Sequence, residues 1–131
     1  MYLLDSDFIV GIFRNNKEAI QKIKDIEEKD INFYISSLSI HELIEGAYLS
    51  SKPKENLEVI RTFINNFFIF DFNLDCAKIS GKISSDLTKK GEKIGEIDVL
   101  LSSIAMYNNL TLITRNTKHF EKINGLKMIS W

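Results

Sequence analysis

Four side chains able to hold a cation stand where structured runs of this chain stop or start. Asp5 ends the apolar run Tyr2-Leu3-Leu4. Glu42 follows Phe33-Tyr34-Ile35-Ser36 in the stretch Ser39-Ile40-His41-Glu42, and Asp98 comes just after the glycine-flanked Gly91-Glu92-Lys93-Ile94-Gly95. Asn116 closes Thr111-Leu112-Ile113-Thr114-Arg115. Three carboxylates and an amide oxygen gathered in one place repel one another unless a cation neutralises them. Hard oxygen donors without a thiolate or a required histidine suit Mg²⁺ or Mn²⁺ rather than zinc. Such an ion activates water near neutral pH and stabilises charge on a phosphoryl oxygen, which is the chemistry of phosphodiester hydrolysis without a protein nucleophile.

Each residue also has a purely structural explanation. Asp5 can cap the helix that follows it. Ser39 and Glu42 fit the S-x-x-E capping box. Asp98, with Glu96, complements a helix macrodipole, and Asn116 can cap the turn Thr117-Lys118-His119-Phe120. Capping does not explain why all four would meet at one edge of a sheet.

Only a fold can gather residues so far apart in sequence. The short apolar run before Asp5 reads as a buried strand of a parallel sheet, and open α/β sheets place ligands at the carboxyl ends of such strands. Further strands are predicted at Phe33–Ser36, 67–70 (buried), 111–114 and 127–129. Helical stripes lie between them: a short helix over 8–13, then 17–28, about 40–49, a helix opened by Pro53 and buried through Leu57, Ile60, Phe63 and Ile64, one carried by Leu74, Ala77, Ile79, Ile83 and Leu87, and a central one through Ile97–Ala105. The alternation predicts one α/β/α three-layer domain over 1–131 with a mostly parallel sheet of 4–5 strands.

Composition narrows the function. Lys+Arg 17 against Asp+Glu 18 leaves net charge −1, so there is no overall basic footprint, although a local basic rim around an acidic site remains compatible with it. One cysteine, Cys76, permits no internal disulfide and no thiolate metal cluster, which fits a cytoplasmic chain. The amino-terminal run lacks the basic flank of a signal peptide, and no apolar stretch approaches the ~20 residues of a membrane span.

The segments Leu3-Leu4-Asp5-Ser6-Asp7, Ile35 to Gly46, Gly95-Glu96-Ile97-Asp98 and Leu112 to Phe120 resemble, in this order and spacing, the PIN domain, specifically the VapC-type ribonuclease toxins of prokaryotic toxin–antitoxin pairs. Gly125-Leu126-Lys127 to Trp131 resembles the tail of some of these toxins. The resemblance covers nearly the whole chain. It implies a PIN-like fold and an Mg²⁺- or Mn²⁺-dependent endoribonuclease with Asp5, Glu42 and Asp98 as its acidic core. It further implies Asn116 as a neutral fourth ligand, and Ser6 and Thr114 as hydroxyls hydrogen-bonded to ligand carboxylates or metal waters. An RNA substrate (tRNA, rRNA or mRNA) and a homodimer silenced by an antitoxin inserted into the active-site groove follow from the same resemblance. Two positions depart from it: Asn116 stands where relatives often carry aspartate, and His119 where they often carry an acid.

Arg115, Arg14 and Lys118 are candidate contacts to RNA phosphates, with Lys17, Lys89, Lys90 and Lys93 more simply read as solvated surface. His41-Glu42-Leu43-Ile44-Glu45 opens like a zincin motif but has Glu45 where the second histidine belongs. Two competitors stand beside the ribonuclease. A phosphohydrolase of the haloacid-dehalogenase type would use Asp5 as nucleophile and Asp7 as general acid; a non-catalytic binding module would explain the neutral Asn116.

Overall fold

Short β-branched and aromatic runs, each stopped by a polar residue, become five strands in the computed structural model, which describes residues 1–27 and 32–131. They are β1 (Tyr2–Leu4), β2 (Phe33–Ser36), β3 (Phe68–Phe70), β4 (Thr111–Ile113) and β5 (Met128–Ile129), joined in the order β3-β2-β1-β4-β5. Every pairing is parallel, so all carboxyl ends open on one edge. The strand order reverses between β1 and β4, which makes the mouth between these two strands the topological switch point.

Seven helices are described: α1 (Ser6–Phe13), α2 (Lys17–Glu27), α3 (Ser37–Leu49), α4 (Pro53–Ile64), α5 (Leu74–Lys90), α6 (Glu96–Tyr107) and α7 (Thr117–Phe120). Side-chain alternation along the strands splits the core in two. Leu3 and Leu112 join Ile83, Leu87, Ile104 and Phe120 on one face of the sheet. Leu4 and Ile113 join Phe8, Ile35, Leu43 and Ile60 on the other. This is the three-layer α/β/α arrangement, and both faces of β1 and β4 are dry, as central parallel strands require.

Three expectations need correction. The aromatic run expected to be a buried strand is a strand, but at the sheet edge, where Phe68 is 63% exposed. The third helix begins at Ser37 rather than near Ile40, because Ser36, the last residue of β2, is itself the cap. Leu74 opens α5 but is 73% exposed, and the buried stripe runs through Cys76, Ser80, Ile83 and Leu87. Helix α2 is described to Glu27; Glu28, which the sequence pattern included in it, lies outside the described residues.

Candidate active site

Asp5 leaves the end of β1 in extended conformation and is the cap of α1. Its carboxylate stays at the helix start, Oδ1 accepting the N–H of Ser6, the first residue of α1, at 2.8 Å. Its other oxygen looks across the switch point, where Oδ2 accepts from the Thr114 hydroxyl at 2.7 Å. Asp5 is only 6% exposed, and no Lys or Arg pairs with it among the described residues. Burial pushes its pKa up to about 6 against the pull of the Thr114 hydroxyl; the Asp7 and Glu42 carboxylates add to the rise, and the Ser6 N–H opposes it.

Glu42 reaches the same place from α3. Its Oε1 accepts from the Ser6 hydroxyl at 3.2 Å, so Ser6 binds Asp5 through its N–H and Glu42 through its side chain. Burial raises the Glu42 pKa, the Ser6 hydroxyl works against that, and the Asp98 and Asp7 carboxylates push it further up. The capping-box explanation of Glu42 fails. Ser36 is the cap, its Oγ accepting the Ser39 N–H at 3.0 Å, and Ser39 lies inside the helix.

Ser39 has another task. Its hydroxyl donates to the Leu4 carbonyl at 3.1 Å, while the Ser36 hydroxyl, 3.0 Å away, donates to it. The β1–β2 pairing ends at Leu3, so Leu4 would otherwise carry an unpaired carbonyl on that side. The bond fixes the first turn of α3 to the residue before Asp5, and thereby sets the distance between the two acids. Ser36 and Ser39 are fully buried. Sequence reasoning missed this role because S-x-x-E reads as a cap; two serines three apart on the buried side of a helix start were the available signal.

Asp98 lies in the first turn of α6, where the macrodipole favours an acid, and its backbone carbonyl accepts from Ser102 Oγ at 2.7 Å. Its carboxylate has a specific partner: Oδ2 stands 3.1 Å from His119 Nδ1. That nitrogen is also 2.6 Å from the side-chain amide of Asn116. The contact to Asn116 is made by its Nδ2, so the ring nitrogen either donates to Asp98 when protonated or accepts from the Asn116 amide when not, and the tautomer decides which bond forms. Asn116 heads α7 but makes no side-chain cap, so that structural explanation fails as well. Its N–H donates to Thr114 Oγ1 at 3.1 Å, joining the Asp98 group to Asp5 through one buried hydroxyl.

The donor set fits a hard divalent cation: carboxylate and amide oxygens, no thiolate, and two acids whose pKa values burial and neighbouring carboxylates raise, neither paired with a Lys or Arg among the described residues. In the described residues no three His, Cys, Asp or Glu side chains stand close enough to hold an ion as arranged, and Asp98 contacts His119. Asp5 and Glu42 form one half of the site, and Asp98, Asn116 and His119 the other.

Of the basic candidates, Arg14 lines the groove that also contains Glu42 and, on its other side, a cleft with Asp7 and Arg115. Arg115 pairs with Glu18 at 2.9 Å, and Lys118 is exposed on α7. Lys89 and Lys90 line a separate depression with Asp86 and Lys122.

Comparison with known proteins agrees with this geometry. Residues 2–126 match the PIN domain. Ribonuclease VapC2 of Rickettsia felis is 30% identical over 131 residues, covering 100% of this chain and 98% of that protein. The tRNA(fMet)-specific endonuclease VapC of Shigella flexneri is 28% identical over 130 residues, covering 99% and 97%. The crystal structure of VapBC2 from Rickettsia felis bound to a DNA fragment from its promoter superimposes with TM-score 0.89 at 30% identity, over 99% of this chain and 98% of that one. DNA-bound VapBC from Salmonella typhimurium gives 0.88 at 29% identity, over 99% and 97%. With a switch-point acid on β1, a second acid on α3 and the family match over nearly its whole length, the chain belongs to the PIN-domain family.

Proposed function

We propose that this protein is a divalent-cation-dependent endoribonuclease and the toxin of a VapBC-type toxin–antitoxin pair, acting as one domain over 1–131. The observation that carries the reading is the Asp5–Ser6–Glu42 unit at the β1–β4 switch point, where two acids of raised pKa share one serine and neither pairs with a Lys or Arg among the described residues. The curated relatives, named as ribonucleases over the full length of this chain, support it.

Asp5, Glu42, Asp98 and Asn116 would hold the cation, Mg²⁺ or Mn²⁺. When bound, it supplies the positive charge that keeps the acids ionised and activates water towards a phosphodiester. Thr114 and Ser6 hold the Asp5 carboxylate at both oxygens, and Ser6 holds Glu42, so neither acid must reorganise when substrate arrives. His119 orients Asp98.

The substrate is RNA, with transfer RNA the class that one relative's name supports. The partners are a cognate antitoxin, as in the VapBC complexes among the structural neighbours, and, as the family resemblance implies, a second copy of the chain. No described helix is long and apolar enough to cross a membrane, and the site of action we propose is the cytoplasm.

The test is cleavage of total cellular RNA by purified, partner-free protein with Mg²⁺, with Mn²⁺ and with chelator, mapping new 5′ ends by sequencing. Discrete metal-dependent cuts that vanish in Asp5→Asn and Asp98→Asn are expected. Cuts that persist in chelator, or in both variants, would refute the assignment.

A further inference from the structure

Beside the acids lies a second cleft, lined by Asp7, Val10, Gly11, Arg14, Asn16, Arg115 and Trp131. Its wall is built with unusual care for a surface feature. The guanidinium of Arg115 lies over the Trp131 ring, 3.8 Å from its centroid. The indole in turn meets Phe8 edge-on at 5.3 Å between centroids, and Phe8 is fully buried in the core behind α1. Gly11 makes room for it: a Cβ at that position would come within 2.8 Å of the Trp131 ring and 3.2 Å of Ala19. The flexible arginine is thus held against a platform that is itself anchored in the core.

The donors on this platform are mostly unspent. Among the described residues Arg115 makes a single polar contact, from one terminal nitrogen to Glu18 at 2.9 Å, and that pair is exposed to solvent. Arg14 makes no ion pair or side-chain hydrogen bond among them, and it borders both this cleft and the groove containing Glu42. Neither arginine is neutralised by Asp7, although all three line the same space. Two cations with available donors, one held flat, stand next to the acids that would hold the metal ion in the reading above. A planar guanidinium presented edge-on suits a phosphate's paired oxygens.

Resting on that reading, we propose that Arg14 and Arg115 form an anchoring subsite for a backbone phosphate of the RNA strand flanking the cut, and that Trp131 is the positioning residue that fixes the Arg115 guanidinium in it. Glu18 occupies Arg115 in the absence of RNA and yields it to the phosphate. The inference explains why an arginine adjacent to Asn116 is braced by an aromatic ring instead of left in solvent. It also gives a protein without overall positive charge a local grip on its substrate.

The experiment measures binding, not turnover. A short labelled single-stranded RNA is titrated with the full chain in chelator across a range of salt concentrations. Arg14→Gln and Arg115→Gln should each weaken binding and reduce the log–log salt slope by about 0.7, one phosphate contact on a single strand. Trp131→Leu should lower the slope as Arg115→Gln does, whereas Trp131→Phe, which keeps an aromatic face, should restore most of it. Glu18→Gln removes the competing carboxylate and should tighten binding several-fold, which keeps the test decisive if Trp131→Leu fails to fold. Unchanged slopes in both arginine variants, or a Glu18→Gln variant that binds no better, would overturn the subsite. A wild-type protein that binds RNA with the expected slopes but never cuts it would overturn the nuclease reading alone.

Discussion

Asp5 is expected to make the metal-free protein less stable the more fully it is ionised, and its replacement by asparagine should reveal how much. Its pKa rises from 3.8 to about 6 on folding, chiefly through burial. The folded pKa lies above the unfolded one, so the stabilising contribution is fully present below about pH 4 and is lost as the pH rises through 6. At 1.36 kcal/mol per unit, the ionised carboxylate costs about 3 kcal/mol at pH 7.5 relative to its protonated form. That figure already includes the help of Thr114 and Ser6, both of which an asparagine can still engage, the hydroxyl turning to accept from the amide. In chelator at pH 7.5, Asp5→Asn should therefore melt about 10 °C above wild type for a chain of this size, although it is inactive. The difference should close as the pH falls towards 4. Adding Mg²⁺ or Mn²⁺ should raise the wild-type melting temperature and leave the variant's nearly unchanged. Differential scanning calorimetry across pH 4 to 8 reads all of this. A variant that melts at or below wild type at pH 7.5, or a gap independent of pH, would refute the argument that Asp5 is held ionised at a cost.

Other residues give separate tests. Ser39→Ala removes the hydroxyl bonded to the Leu4 carbonyl and should cost about 1–3 kcal/mol for the orphaned buried group; urea denaturation measures it, and kcat for RNA cleavage should fall with little change in KM. Gly11→Ala drives a Cβ into Trp131 and should cost about 1–3 kcal/mol by overpacking, with a weakened RNA salt slope in the same variant; a melt and slope equal to wild type would contradict the packing. Asn116→Asp adds a carboxylate to the half of the site that has only Asp98, and should tighten Mn²⁺ binding by about tenfold, or 1.4 kcal/mol, in calorimetric titration. Unchanged affinity would remove Asn116 from the ligand set.

The sheet was legible because every strand is a brief apolar run cut off by a polar residue, and Asp5 and Thr114 are two of those stops. The edge position of β3 was not legible. Phe67-Phe68-Ile69-Phe70 is as apolar as any central strand, and whether a strand has one neighbour or two is decided by how the whole sheet is wound. The start of α3 was blurred for a local reason: Ser36 ends β2 and caps the helix in one residue, so the pattern offered Ser39 as the cap instead. Within the site, the places of Asp5, Glu42, Asp98 and Asn116 at element junctions were legible, and the structure puts each at the strand end or near the helix start expected for it. The Arg115–Trp131–Gly11 contact was not legible, because it joins α1 to residues near the far end of the chain and leaves no spacing to read.

The division of the site into two halves follows from its charges. Asp5 and Glu42 are held together by Ser6, which donates one hydrogen bond to each, and burial is the chief reason that both carry raised pKa values, with neighbouring carboxylates adding to the rise. Asp98 has a partner of its own in His119, while its charge still reaches Glu42 and adds to the rise of the Glu42 pKa. Positions 116 and 119 carry no carboxylate here, so the second half brings one formal negative charge to the site where relatives with acids at these positions would bring more. A cation held there as proposed would meet a site of lower charge, with Asp98 positioned by His119. The His119 contact uses one Asp98 oxygen and leaves the other able to ligate, and the Thr114 hydroxyl, bonded to Asp5 on one side and to the Asn116 N–H on the other, joins the two halves through one buried group.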